Sequence, residues 1–210
     1  MIISLDDPVC LALSFLGTAV CAATGAFVAI RKQMDPIGAL TLAVVTGIGG
    51  GTLRDILIAP GEIFWIEEPI YVWVAAATGL FIYLSRSVLR PGRYRLLVPD
   101  AVGLALFTWV GCEKSRLLGL PDTAILIMGV LTGTAGGFLR DIISNEVPSI
   151  LMPGELYATA SILGGAVYLA SVSWGIPDEW TALLSIATVL TTRLAAMRWN
   201  ISLGLLVRGS

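Results

Sequence analysis

Long apolar runs, each closed by a proline, a glycine or a small knot of charge, follow one another along the whole chain. Seven are long enough to cross a hydrocarbon core that takes about 20 apolar helical residues: 9–30, 36–58, 68–86, 97–117, 122–144, 155–174 and 180–199. Pro36, Pro60-Gly61, Pro69, Pro91-Gly92, Pro121, Pro148, Pro153-Gly154 and Pro177 mark most of the junctions. The pattern predicts an all-α integral membrane protein, a single membrane domain over 1–210. Arg193 falls inside the seventh run and reads as a side chain snorkelling to the cytoplasmic end.

Within this pattern one polar motif occurs twice. Thr46-Gly47-Ile48-Gly49-Gly50-Gly51-Thr52-Leu53-Arg54-Asp55-Ile56 returns 86 residues later as Thr132-Gly133-Thr134-Ala135-Gly136-Gly137-Phe138-Leu139-Arg140-Asp141-Ile142. The same offset carries Gly17 onto Gly103, Ala19 onto Ala105, Gly25 onto Gly111, Tyr71 onto Tyr157, Gly79 onto Gly165 and Ser85 onto Ser171. Two units of three spans result, about 9–86 and 97–174, with an appended helix at about 180–199. Three is odd, so the second unit must cross the membrane in the opposite sense to the first. The expected architecture is an inverted repeat about an axis in the membrane plane, plus a seventh helix.

Charge sets the orientation. Arg31 and Lys32 follow the first span, Arg86, Arg90, Arg93 and Arg95 the third, and Arg198 and Arg208 the seventh. These ends share one side, which the positive-inside rule makes cytoplasmic. Asp6, Asp7, Glu62, Glu67, Glu68, Asp178 and Glu179 fall on the other side, with Lys114 and Arg116 against the trend. The N-terminus is expected outside and the C-terminus inside.

Composition narrows the function. The chain is 56% hydrophobic and 13% charged, with a formal net charge of −2 that offers nothing to nucleic acid. Histidine is absent, which removes imidazole metal ligands and Ser-His-Asp chemistry. The three cysteines, Cys10, Cys21 and Cys112, lie in spans without metal-type spacing and read as small packing residues. The N-terminus has no basic region or cleavage signature of a removable signal peptide. Gly47 to Thr52 lacks the lysine of a phosphate-binding loop, so no enzyme and no cofactor is expected.

The glycines of the repeat fall near the middle of spans two and five. Such clusters serve close helix packing, or they kink a helix and release carbonyls into a hydrated constriction. Duplication beside an intramembrane Arg-Asp pair favours the constriction. Neighbouring helical residues point about 100° apart, so Arg54 is not expected to pair with Asp55, nor Arg140 with Asp141. Each should find partners on other helices, the aspartates bracing nearby helix ends. Asp100, whose repeat counterpart is Ser14, reads as an interfacial residue at the start of span four. Lys114 either enters the pathway, binds a lipid head group or snorkels. The tryptophans Trp65, Trp73, Trp109, Trp174, Trp180 and Trp199 read mostly as an interfacial belt, and the Arg86–Arg95 loop as a topology determinant.

At these residues the chain resembles the prokaryotic trimeric intracellular cation channels. The resemblance rests on the doubled motif, on Ala29-Ile30-Arg31-Lys32, on Gly111 with Lys114, and on Glu146-Val147-Pro148 followed by Glu155-Leu156-Tyr157-Ala158. It implies a homotrimer of seven-helix protomers in the prokaryotic inner membrane, surrounded by lipid, each protomer carrying its own pathway for K⁺ and Na⁺. The pathway residues it implies are Gly49, Gly50, Gly51, Arg54 and Asp55, then Gly136, Gly137, Arg140 and Asp141; Thr46 and Thr132, one helical turn before the glycines, add hydroxyls to the expected constriction, with Gly133 beside them. K⁺ would pass near Gly49, Gly50, Gly136 and Gly137, with Lys114 a candidate gating or lipid contact. Ala135 stands where the first repeat has Gly49 and departs from the pattern. Some bacterial relatives are assigned as glycine transporters, so carriage of a small amino acid stays open beside conduction. Bare guanidinium groups repel cations, so a cation channel needs both motif arginines neutralised or turned aside.

Overall fold

The computed structural model describes residues 8–58, 62–87, 93–152, 156–199 and 201. Asp6, Asp7, Pro60-Gly61, Arg90, Pro91-Gly92, Pro153-Gly154, Glu155 and Arg208, used above for junctions, orientation and resemblance, lie outside the described residues.

The apolar runs form helices α1 (Pro8–Arg31), α2 (Pro36–Ile58), α4 (Ile70–Leu84), α5 (Arg93–Leu117), α6 (Asp122–Ile143), α7 (Tyr157–Ser173) and α8 (Asp178–Trp199). A one-turn helix α3 (Phe64–Glu67) and short 3-10 turns at Ser85–Ser87 and Ser149–Leu151 fill the connections. No strand occurs among the described residues. Among the described residues six helices have the length and apolarity to span a membrane, and Tyr157–Ser173 is a shorter apolar one. The fourth span starts earlier than the apolar run suggested, because α5 continues through Pro99. Asp100 therefore lies two turns inside a helix instead of at its first residue.

Helix ends obey the 86-residue offset. The ends of α1 and α5, at Arg31 and Leu117, and the starts of α2 and α6, at Pro36 and Asp122, are each 86 positions apart. Gln33 (φ 56°) and Gly119 (φ 72°) hold the same left-handed position after α1 and α5. There the chain closes Schellman-type bonds, Met34 N–H to the Ala29 carbonyl and Leu120 N–H to the Ser115 carbonyl.

Small residues bring the helices together, as expected where lipid supplies no hydrophobic drive between them. Ala22, Ala26, Ala43 and Ala75 are wholly buried between α1, α2 and α4. A Cβ placed on Gly25 would meet the Leu42 carbonyl oxygen at 2.5 Å, and one on Gly111 the Met128 carbonyl oxygen at 2.7 Å. Those two contacts are repeat counterparts on both sides. Cys21 and Cys112 are packing residues, their sulfurs filling the space left by Gly103 and Gly129.

The appended α8 docks on the second unit. Val189 fits against Gly164, and the Ser185 hydroxyl donates to the Gly164 carbonyl at 3.0 Å. Arg116 on α5 ties its start by pairing with Glu113 at 2.5 Å and Asp178 at 3.3 Å. Trp73, Trp174, Trp180 and Trp199 are exposed, in keeping with a belt. Trp109 is not part of it: it is buried in the core with Tyr168 and Ile125.

Candidate functional site

The two motif helices cross at their glycines, and the crossing is nearly two-fold. A Cβ on Gly50 would come within 2.2 Å of the Thr132 carbonyl oxygen, and one on Gly136 within 2.5 Å of the Thr46 carbonyl oxygen. Gly50 and Gly136 are repeat counterparts, as are Thr46 and Thr132. Gly49 also faces the Gly136 backbone, and Gly133 faces the Leu104 carbonyl on α5. Each threonine hydroxyl turns back onto its own helix, Thr46 to the Leu42 carbonyl at 2.5 Å and Thr132 to that of Met128 at 2.6 Å. Their hydroxyls are thereby occupied and their main chains touch. Both helices are α-helical through the glycines, and it is there that their backbones come into contact.

One turn past the crossing come the charged pairs, and here the side-by-side prohibition fails. Arg54 Nε donates to Asp55 Oδ1 at 2.8 Å, and Arg140 Nε to Asp141 Oδ1 at 2.9 Å. The 100° between neighbours separates their Cβ atoms, but three methylenes let a guanidinium curl back to the adjacent carboxylate. All four residues are buried, which strengthens the attraction between guanidinium and carboxylate. The second carboxylate oxygen braces the chain beyond. Asp55 Oδ2 accepts the Phe64 N–H at 3.0 Å at the start of α3, and Asp141 Oδ2 accepts the Ser149 N–H at 2.9 Å at the next 3-10 turn.

Beyond this shared frame the two ends differ. Lys114 reaches from α5 to Asp55 Oδ1 at 3.0 Å, which answers where it goes: toward the motif. A cavity of about 190 Å³ opens beside it, lined among others by Ser14, Gly51, Arg54, Glu67, Glu68 and Tyr71. Phe64 and Tyr71 form an edge-to-face pair at 4.9 Å on its wall, and Trp65 is fixed to α2 by donating to the Thr52 hydroxyl at 2.9 Å. At the other end Arg140 binds Asp100 Oδ1 through Nη1 at 2.7 Å and also donates to the Thr24 hydroxyl at 3.0 Å. Asp100 is therefore a buried partner of the motif and not an interfacial residue. Arg193 is no snorkeller either. It is fully buried, with Nη2 3.6 Å from Asp100 Oδ2 and its guanidinium 4.6 Å from the centre of the Tyr157 ring.

Sequence reasoning thus collected the motif residues and missed the roles of Asp100 and Arg193. Charge counting carries a signal for both. Asp100 and Asp141 against Arg140 leave one carboxylate in excess, and Arg193 is an arginine set well inside a later apolar run. On the face that joins α1 to the chain after α6, Glu146 pairs with Arg31 at 2.5 Å and Lys32 at 2.9 Å. Burial tends to raise the Glu146 carboxyl, but Lys32 and Arg31 outweigh it and hold it below the usual carboxylate range.

A family of membrane proteins described as Glycine transporter matches the chain twice, over residues 11–87 and 97–173. The two matches are displaced by 86 positions at both ends, the offset of the motif. The UPF0126 inner membrane protein YadS of Escherichia coli strain K12 is 40% identical over 193 residues, covering 91% of this chain and 93% of that protein. A UPF0126 membrane protein of Vibrio cholerae serotype O1 is 39% identical over 201 residues, covering 95% and 84%. Among solved structures, the TRIC trimeric intracellular cation channel orthologue from Rhodobacter sphaeroides superposes with a TM-score of 0.87 at 37% identity, covering 91% of this chain and 98% of that one. The chain belongs to this family of membrane proteins and has the fold of the TRIC channels.

Proposed function

We propose that the protein is a K⁺-permeable cation channel of the inner membrane, homotrimeric, with a pathway inside each protomer and with Na⁺ as a second permeant ion. The observation that carries this reading is that both motif guanidinium groups are held by buried carboxylates, Arg54 by Asp55 and Arg140 by Asp141 and Asp100. Locked this way, they brace the helices without presenting bare positive charge to a passing cation. The cavity beside Arg54 and Lys114 carries Glu67 and Glu68 on its wall. With Asp55 counted, its formal charge is two positive against three negative. The likeness to cation channels in fold and in 37% of positions supports the same reading, and the trimer rests on it too.

On this reading the gate is the pair of contacts Gly50–Thr132 and Gly136–Thr46. Parting of α2 and α6 there would open it, exposing the Thr46 and Thr132 carbonyls to K⁺ near Gly49, Gly50, Gly136 and Gly137. The N-terminus is outside and the C-terminus cytoplasmic, by the basic loops. Lipid surrounds the exposed apolar faces.

A second reading, carriage of a small zwitterionic amino acid, is favoured by one observation: Arg54 and Lys114 face the same cavity as Glu67 and Glu68. Such a site offers donors to a carboxylate and acceptors to an ammonium group. Reconstitution in planar bilayers under a KCl gradient separates the two. Discrete currents reversing near the K⁺ potential are expected. Saturable uptake of glycine into liposomes without current would replace the channel by the carrier.

A further inference from the structure

Matched through the 86-residue offset, the two charged ends differ by one carboxylate. Both guanidinium groups begin alike, with Nε donating to Oδ1 of the aspartate that follows. At the second end the terminal nitrogens are then taken up. Arg140 Nη1 donates to Asp100 Oδ1 at 2.7 Å and to the Thr24 hydroxyl at 3.0 Å, and Nη2 lies 2.8 Å from Asp141 Oδ1. At the first end the counterparts of Asp100 and Thr24 are Ser14 and Val110. Neither brings a carboxylate, and both line the cavity beside Arg54. Among the described residues Arg54 hydrogen-bonds through Nε alone, to Asp55. It borders open space where Arg140 meets Asp100 and Thr24.

The balance of buried charge points the same way. The second end sets Arg140 and Arg193 against Asp141 and Asp100. The first sets Arg54 and Lys114 against Asp55, whose Oδ1 lies 2.8 Å from one and 3.0 Å from the other. One cation is in excess there, and a buried charge without a partner is costly. Glu67 and Glu68 also line the cavity, but they are exposed, so water and salt screen them from the buried pair. A guanidinium has five N–H donors and an ammonium three, so Arg54 and Lys114 both keep donors for a further acceptor. The volume of about 190 Å³ lies below the range of about 300–1,000 Å³ usual for drug-sized ligands, which suits a small one.

We propose that this cavity is the seat of a small carboxylate, lying against Ser14 between Arg54 and Lys114 and supplying there the group that Asp100 supplies within the second unit. The ligand is a monocarboxylate of a few non-hydrogen atoms, either a simple anion or the carboxylate end of a zwitterion whose ammonium turns toward Glu67 and Glu68. Phosphate is a poorer match, because among the described lining residues its second negative charge has no third cation to meet. The seat is a property of the cavity and goes beyond both functional readings. In a channel it holds a regulatory ligand that offsets positive charge on the wall; in a carrier it anchors the substrate.

The test is a thermal melt of the full chain in detergent at fixed ionic strength, titrated with sodium acetate, glycine, sodium phosphate, sodium chloride or methylammonium chloride. Acetate and glycine should each raise the melting temperature in a saturable way, and the other three should not. Ser14→Asp puts the missing carboxylate on the protein. It should melt higher than wild type without ligand, and its half-saturating acetate concentration should rise at least tenfold. Should Ser14→Asp fail to assemble, Lys114→Met removes one of the two cations and should raise that concentration several-fold. A response to glycine without acetate, lost in the same variants, would restrict the ligand to zwitterions and keep the seat. Binding unchanged in the variants, or a rise given equally by chloride or methylammonium, would overturn it. A rise with phosphate alone would replace the carboxylate seat by a phosphate site. A wild type that conducts K⁺ with no saturable carboxylate effect would remove the seat and leave the channel. A wild type silent in bilayers that still shows the effect would do the reverse.

Discussion

Around Arg54 and around Arg140 the same eleven-residue motif meets two different surroundings. At the first end the guanidinium shares Asp55 with Lys114 and borders a cavity walled by Glu67, Glu68 and Tyr71. At the second, Arg140 is enclosed by Asp141, Asp100, Thr24 and the α8 residue Arg193. The local frame is identical: an Arg-to-Asp hydrogen bond, then an Asp-to-backbone brace. What differs is supplied by positions where duplication has drifted, Ser14 against Asp100 and Val28 against Lys114, and by a helix that was never duplicated. A duplicated motif therefore sets the scaffold, and unduplicated charge decides what each end can hold.

The crossing is where the halves should be most alike, and the largest effect is expected there. Gly50→Leu and Gly136→Leu each drive a side chain into the facing Thr carbonyl, so both should abolish conduction and loosen α2 from α6 to a similar extent. Single-channel recording with a thermal melt checks this; one tolerant and one intolerant glycine would break the pseudo-symmetry. Next comes the asymmetric pair. Arg140→Met removes the cation that Asp100 and Asp141 share and should cost about 3–5 kcal/mol in denaturant unfolding. Arg54→Met should cost clearly less, because Lys114 remains on Asp55 and the cavity admits water. Equal losses would mean that Lys114 does not compensate.

Lys114→Met sharpens the comparison further by making the first end as uncharged at that position as Val28 makes the second. It removes one positive charge from the cavity wall, so the reversal potential under a KCl gradient should move toward the K⁺ potential. The smallest effect concerns Glu146. Its depressed carboxyl contributes stability that is present above the unfolded-state pKa and lost as pH falls through the lower folded-state value. The partly exposed pairs with Arg31 and Lys32 are worth about 0.5 kcal/mol or less. Melts of wild type and Glu146→Gln should differ slightly at pH 7 and converge in acid below the ordinary carboxylate range.

Much of this was legible along the chain. Apolar run length and proline placement located the spans, because a bilayer of fixed thickness leaves a helix few other lengths. Self-similarity at 86 residues implied the inverted repeat, and the matched helix ends at Arg31 and Leu117, and at Pro36 and Asp122, follow it. Side-chain partnership was not legible. Spacing on one helix argued against Arg54–Asp55 and Arg140–Asp141, yet a long guanidinium in a buried site curls back to the adjacent carboxylate. Asp100 read as interfacial because the apolar run placed it at the start of span four, whereas α5 begins at Arg93 and runs through Pro99.

The sequence by itself determined a seven-span, internally duplicated membrane protein with a glycine-rich Arg-Asp motif on each central helix, since hydrophobic length, charge asymmetry and repetition are properties of the chain alone. Only the tertiary structure decided that Gly50 and Gly136 bring the two helices into backbone contact, that Lys114 joins Asp55, and that Arg193 lies on Asp100. Those pairings join residues 59 to 93 positions apart, and for side chains buried away from water, which charge meets which is settled by how the helices pack.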